Sequence, residues 1–167
     1  MSCMVKICGI NSEDAAMAAM SAGADALGYV FFPPSPRHIS LNGATTLTER
    51  VPDSILKVGL FVEAGDEALE NAIKAGRLDV IQMHGKESPE RVAEVKEKFG
   101  LRVMKAVSVS TSDDIDAAAA NFDGVADFLL FDAKPPKESI LPGGNAVSFD
   151  WSLLTGRSFK SSWMLAG

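Results

Sequence analysis

Apolar runs of strand length alternate with amphipathic stretches along the whole chain. Val5–Cys8, Ala26–Phe31, Leu56–Val62, Val80–His84, Arg102–Val107, Phe128–Asp132 and Ser162–Ala166 read as strands. Between them, Ser12–Ala22, Leu41–Val51, Asp66–Ala75, Ser88–Phe99 and Ser112–Asn121 read as helices, with a short sixth at Asp150–Leu154. Start signals support these helices. Asn11 with Asp14 and Thr111 with Asp114 resemble acidic capping boxes, and Ser88-Pro89 places an N-cap before a first-turn proline. In the first strand, Val5 and Ile7 face one way while Lys6 and Cys8 face the other. A lysine within an apolar run is costly without water or a partner, so this polar pair calls for an explanation.

Seven strands, each separated from the next by a helix-sized segment, predict a parallel β/α architecture in a single domain over residues 1–167. A weak internal repeat adds detail. "GADALGYVF", "GRLDVIQMHG" and "GVADFLLFD" each place a glycine, then an aspartate, then a strand. Gly23, Gly76 and Gly124 suit the positive-φ position that ends a helix. Asp25, Asp79 and Asp127 lie 54 and then 48 residues apart, the length of two β/α units. Recurrence at every second strand is compatible with a barrel built in alternating layers. A doubly wound open sheet is the rival, but the first strand is not followed by G-x-G-x-x-G, and no P-loop is present. The stretch "AKPPKESILPGGNAV" is too long for a simple turn and reads as a functional loop or lid.

Composition narrows the function. The chain has 167 residues, 47% hydrophobic, enough for one sizeable core, and a net charge of −6. That charge argues against nucleic acid and against a polybasic membrane contact. The chain shows neither a bilayer-length apolar run nor signal-peptide features, which predicts a cytoplasmic protein. Cys3 and Cys8 are expected as free thiols.

In parallel β/α folds, ligands bind at the C-terminal strand ends. The polar side chains there are Lys6 and Cys8, Gln82 and His84, and Asp132, with Lys105 in the fifth strand and Arg37 in the loop after the second. A thiol, a carboxylate, an imidazole and several cations suit acid–base chemistry on an anionic substrate. Singly, each has a plainer explanation: Cys8 as a small hydrophobe, His84 as a strand cap, Asp132 as a turn residue, Arg37 as a solvated loop residue. Their shared position supports the joint assignment. Metal binding lacks CxxC or HExxH spacing, and a serine hydrolase would lack its G-x-S-x-G elbow.

"VKICGI", "GADALGYVFFPPSPRHIS", "VIQMHG", "FLLFDAK" and "PGGNAVSFDW", in collinear order across the chain, closely resemble the phosphoribosylanthranilate isomerase family of tryptophan biosynthesis. The resemblance implies an eight-stranded β/α barrel of the TIM type, acting on a small phosphosugar without cofactor or metal, as a monomer or homodimer. It implies Cys8 as general base, Asp132 as general acid, and Arg37 at the anthranilate carboxylate. His84 matches a histidine of the family motif, and Gly143, Gly144 and Gly167 match glycines of the substrate site. Ala146 stands where relatives often carry glycine.

The implied reaction is an Amadori rearrangement of N-(5-phosphoribosyl)anthranilate to 1-(2-carboxyphenylamino)-1-deoxyribulose 5-phosphate. Asp132 would protonate the ring oxygen, and the Cys8 thiolate, favoured by Lys6 on the same strand face, would remove the C2 proton. Only seven of the family's eight strands are evident, so the C-terminal end is expected to be missing from this sequence. The alternatives are an inactive truncated barrel and another phosphosugar barrel enzyme, such as a pentose-phosphate epimerase.

Overall fold

The computed structural model describes residues 3–134 and 148–166. Among these residues the elements run β1 (Lys6–Cys8), α1 (Glu13–Ser21), β2 (Ala26–Val30), α2 (Leu41–Thr48), β3 (Leu56–Phe61), α3 (Asp66–Gly76) and β4 (Val80–Met83). They continue with α4 (Pro89–Phe99), β5 (Arg102–Val109), α5 (Ser112–Phe122), β6 (Phe128–Ala133), a 3-10 helix at Trp151–Leu154 and β7 (Ser162–Leu165). The strands stand in sequence order, β1 to β7, in one sheet. Parallel neighbours in chain order need a crossover at each step, and α1 to α5 supply the first five. This is the parallel β/α class expected from the pattern of apolar runs, with β5 reaching two residues further than predicted and β4 ending just before His84.

The chain divides into two compact units, Met1–Gln82 and Met83–Gly167. In the first, Leu27, Tyr29, Val58, Phe61 and Leu69 are buried, and the Phe31 and Phe61 rings stack at 5.3 Å. Burial pushes the Tyr29 hydroxyl up to about 12. In the second, Val92, Val95, Val103, Ile115, Leu129 and Phe131 are fully buried, and Phe131 packs against Phe159 and Trp163. The apolar face of β1 departs from expectation: Val5 and Ile7 are 47% and 41% exposed. Among the described residues, β1 pairs with one strand, β2.

Helix ends follow the sequence signals with two differences. Ser88 and Thr111 cap α4 and α5, and Asp114 closes a full capping box with Thr111. Bonds from the Ser110 backbone N–H and hydroxyl hold the Asp114 carboxyl down at about 2. For α1 the cap is Ser12 rather than Asn11. Ser12 is the last residue with extended backbone, so its hydroxyl reaches the Ala15 N–H. Gly23 and Gly124 have positive φ as predicted, but Gly76 does not. There the left-handed residue is Arg77, at φ 45°, and Gly76 is needed for space, since a Cβ would lie 2.8 Å from Leu78 Cδ2.

The repeated aspartates share one role. The carboxylates of Asp25, Asp79 and Asp127 each accept, at 2.8 Å, the backbone N–H of Val5, Lys57 and Val103 at the start of the preceding strand. In return each aspartate N–H donates to the carbonyl of that same residue, at 2.8–2.9 Å. The two bonds close a ring that ties each even strand to the odd strand before it. Replacing Asp127 by Ala strips the buried Val103 N–H of this acceptor and Lys96 of a 2.7 Å partner. The expected cost is about 1–3 kcal/mol in urea unfolding. A loss under roughly 0.5 kcal/mol, typical of a neutral surface substitution, would mean that the ring does not hold the register.

Candidate active site

In the first unit, strand pairing places Lys6 beside Ala26 and Cys8 beside Gly28, so that Lys6, Cys8 and Gly28 share one face. Gly28 is what allows the polar pair to fit. A Cβ there would fall 2.8 Å from the Cys8 Sγ and 3.1 Å from the Lys6 Nζ. Thiol and ammonium therefore lean over the same bare stretch of backbone. That answers the oddity of a lysine in this strand: its charge stands beside an exposed thiol.

Arg37 joins this cluster through a second glycine. Gly9, at φ +88°, ends β1, and a Cβ there would lie 2.5 Å from the Arg37 Cδ. The aliphatic stem of Arg37 thus lies on the residue next to Cys8. The loop that carries it folds back on β2: the Ile39 N–H donates to the Val30 carbonyl at 3.0 Å, and the Arg37 N–H donates to the Ser35 hydroxyl at 3.2 Å. A glycine inside or just after a strand signals close approach. That signal was present at Gly28 and Gly9, but not which side chains would come near.

In the second unit, His84 and Asp132 come together. His84 Nε2 lies 3.4 Å from Asp132 Oδ2, with the side chains only 10% and 14% exposed. The Asp132 Oδ1 accepts the Ala133 N–H at 2.8 Å, and Ser108 pairs with Asp132 across β5 and β6. A nearly buried carboxylate beside an imidazole can exchange a proton with a bound molecule.

Lys105 does not belong with these strand-end groups, contrary to expectation. It pairs with Leu129, while Ser108 pairs with Asp132, so alternation puts Lys105 on the opposite sheet face. Its ammonium is buried and ion-paired to Glu87 at 3.1 Å. Glu87 went unnoticed in the sequence, where it reads as one more charge in a polar loop. Gly143, Gly144 and Gly167, with most of the glycine- and proline-rich loop, lie outside the described residues. Among the described residues, no helix is long and apolar enough to cross a membrane.

Parallel strands in chain order, with titratable groups at their C-terminal ends, are the arrangement of the TIM-barrel class of enzymes. Comparison with known proteins narrows this. The family model "N-(5'phosphoribosyl)anthranilate (PRA) isomerase" matches residues 5–167. The chain is 55% identical to N-(5'-phosphoribosyl)anthranilate isomerase of Paramagnetospirillum magneticum, over 98% of this chain and 75% of that one. It is similar to the crystal structure of phosphoribosyl anthranilate isomerase from Thermotoga maritima, with TM-score 0.80 and 33% identity over 92% of this chain and 70% of that one. A solved phosphoribosyl anthranilate isomerase in complex with reduced 1-(o-carboxyphenylamino)-1-deoxyribulose 5-phosphate gives TM-score 0.76 at 31% identity, covering 92% and 69%. The chain belongs to the phosphoribosylanthranilate isomerase family.

The Lys6–Cys8 pairing is open to direct measurement. Replacing Lys6 by Met should slow iodoacetamide alkylation of Cys8 at neutral pH severalfold, because a neighbouring cation favours the reactive thiolate. Peptide mass spectrometry separates Cys8 from Cys3. An unchanged Cys8 rate would show that Lys6 does not act on the thiol.

Proposed function

We infer that this chain isomerises N-(5-phosphoribosyl)anthranilate to 1-(2-carboxyphenylamino)-1-deoxyribulose 5-phosphate in tryptophan biosynthesis. The observation that carries the inference is the family match from residue 5 to residue 167. The residue roles rest on the resemblance and on where each side chain stands.

Asp132 is the general acid. In its protonated form it delivers a proton to the furanose ring oxygen, the ring carbon–oxygen bond breaks, and a protonated Schiff base forms at C1. This iminium draws electrons from the neighbouring C2–H bond. The Cys8 thiolate takes that proton, and the bonding pair moves toward C1 and neutralises the nitrogen. The resulting enolamine tautomerises to the ketone, so no net electrons enter or leave. Lys6, next to Cys8, supports the thiolate charge; His84, next to Asp132, orients the carboxyl group.

Arg37 receives the anthranilate carboxylate. Its aliphatic stem rests on Gly9, the residue after Cys8. Following the family pattern, Gly143 and Gly144 would contact the substrate and Gly167 would belong to its phosphate cradle. The chain acts as a monomer or homodimer in the cytoplasm.

Kinetics of single variants test these roles. Cys8→Ala should lose roughly 10²–10⁴-fold in turnover, the range for a lost general base, while still binding a reduced product analogue. Asp132→Asn keeps the size and removes the ionisable proton, so ring opening should fail with the fold intact. Arg37→Ala should chiefly raise KM, because a charge-assisted contact is lost. Near-normal turnover in Cys8→Ala would rule out the thiol as base. An Arg37→Ala defect unchanged on a substrate lacking the carboxylate would rule out that contact.

A further inference from the structure

His84 stands in the short connection between β4 and α4, where a loop side chain would ordinarily be free to swing. The backbone on both sides of it is instead tied to one buried group. The Lys105 ammonium donates to the carbonyls of Met83 at 3.3 Å and Gly85 at 2.8 Å, the residues immediately before and after His84. It also donates to the Ala106 carbonyl at 2.9 Å and to Glu87 Oε2 at 3.1 Å. Glu87 completes the tie from the other side, accepting the Gly85 N–H with its two oxygens at 3.1 and 2.9 Å.

The chemistry of the pair points to positioning rather than to simple stability. Lys105 is 3% exposed, and the Lys105 and Glu87 side chains are each 4% exposed in the ion pair. Desolvating two charges consumes most of what their attraction returns, so an apolar pair of equal volume would hold the fold as well or better. An ion pair adds direction. A Lys ammonium offers three donors on a flexible stem, shared here among four acceptors, two of which are the carbonyls that flank His84. Lys57, the other buried lysine among the described residues, shows the contrast. It reaches Asp79 at 3.2 Å, one of the aspartates that tie strands together.

We propose that Lys105 and Glu87 are positioning residues for the isomerisation: Lys105 from the opposite face of the sheet and Glu87 from the loop itself fix the backbone around His84 and so hold its imidazole against the Asp132 carboxyl. The proposal rests on the assignment of Asp132 as general acid. It assigns a function to the loop ion pair that neither partner could perform by touching substrate.

Two readouts on the full chain test it: steady-state kinetics, and the ring signals of His84 in nitrogen–proton correlation spectra. Lys105→Met should shift the His84 ring signals and lower kcat by ~10- to 100-fold, the scale for a displaced catalytic neighbour, with KM held within about twofold. In a His84→Ala background the same substitution should change kcat by less than about twofold, because the group it positions is already gone. If Lys105→Met does not fold, the Lys105→Gln/Glu87→Gln variant removes both charges together and carries the same expectations. An unmoved His84 signal, or a kcat loss equally large without His84, would overturn the proposal. Should the unsubstituted chain lack isomerase activity, the functional assignment falls, while the His84 signals still decide the positioning claim.

Discussion

Register between parallel strands is the constraint on which everything else here depends. Side chains alternate with period two, so a slip of one residue would turn every inward group outward. Parallel pairing has no tight turn to set its register, because consecutive strands are separated by a helix. The aspartate rings take over that task. Asp25, Asp79 and Asp127 sit one residue before β2, β4 and β6, and each grips the start of the strand before it with two hydrogen bonds. With the N-terminal ends fixed, the faces at the C-terminal ends are fixed as well.

Within each unit, the chemistry follows from those faces. On β1, alternation sends Lys6 and Cys8 to the side where Gly28 leaves room for both. On β6 it sends Asp132 to the side of Ser108 and His84, and on β5 it sends Lys105 the other way. Within the second unit, opposite faces of β5 and β6 thus carry different groups. One carries Asp132, the proposed general acid, beside His84. The other carries an ammonium whose partners are loop carbonyls and Glu87.

Much of this was legible in the sequence. Apolar runs and caps located all seven strands to within two residues, and the spaced aspartates marked a real repeat. The parity of Lys6 and Cys8 was readable because alternation is a local rule. Lys105 was misplaced for the complementary reason: the face of a lone residue depends on its register with the next strand, which no local pattern states. Glu87 could not be found, since only the folded loop buries it. Gly76 was read as a conformational glycine, yet its need is space beside Leu78, a contact made only after the helix packs.

The role that most needs testing is that of the Cys8 thiol, proposed as the base that moves the substrate proton. Stepwise alkylation, with modification at Cys3 and Cys8 quantified separately against remaining isomerase activity, tests it most directly. Activity should fall in proportion to Cys8 modification, be indifferent to Cys3, and be protected by the reduced product analogue. Full turnover after complete alkylation of Cys8 would contradict it.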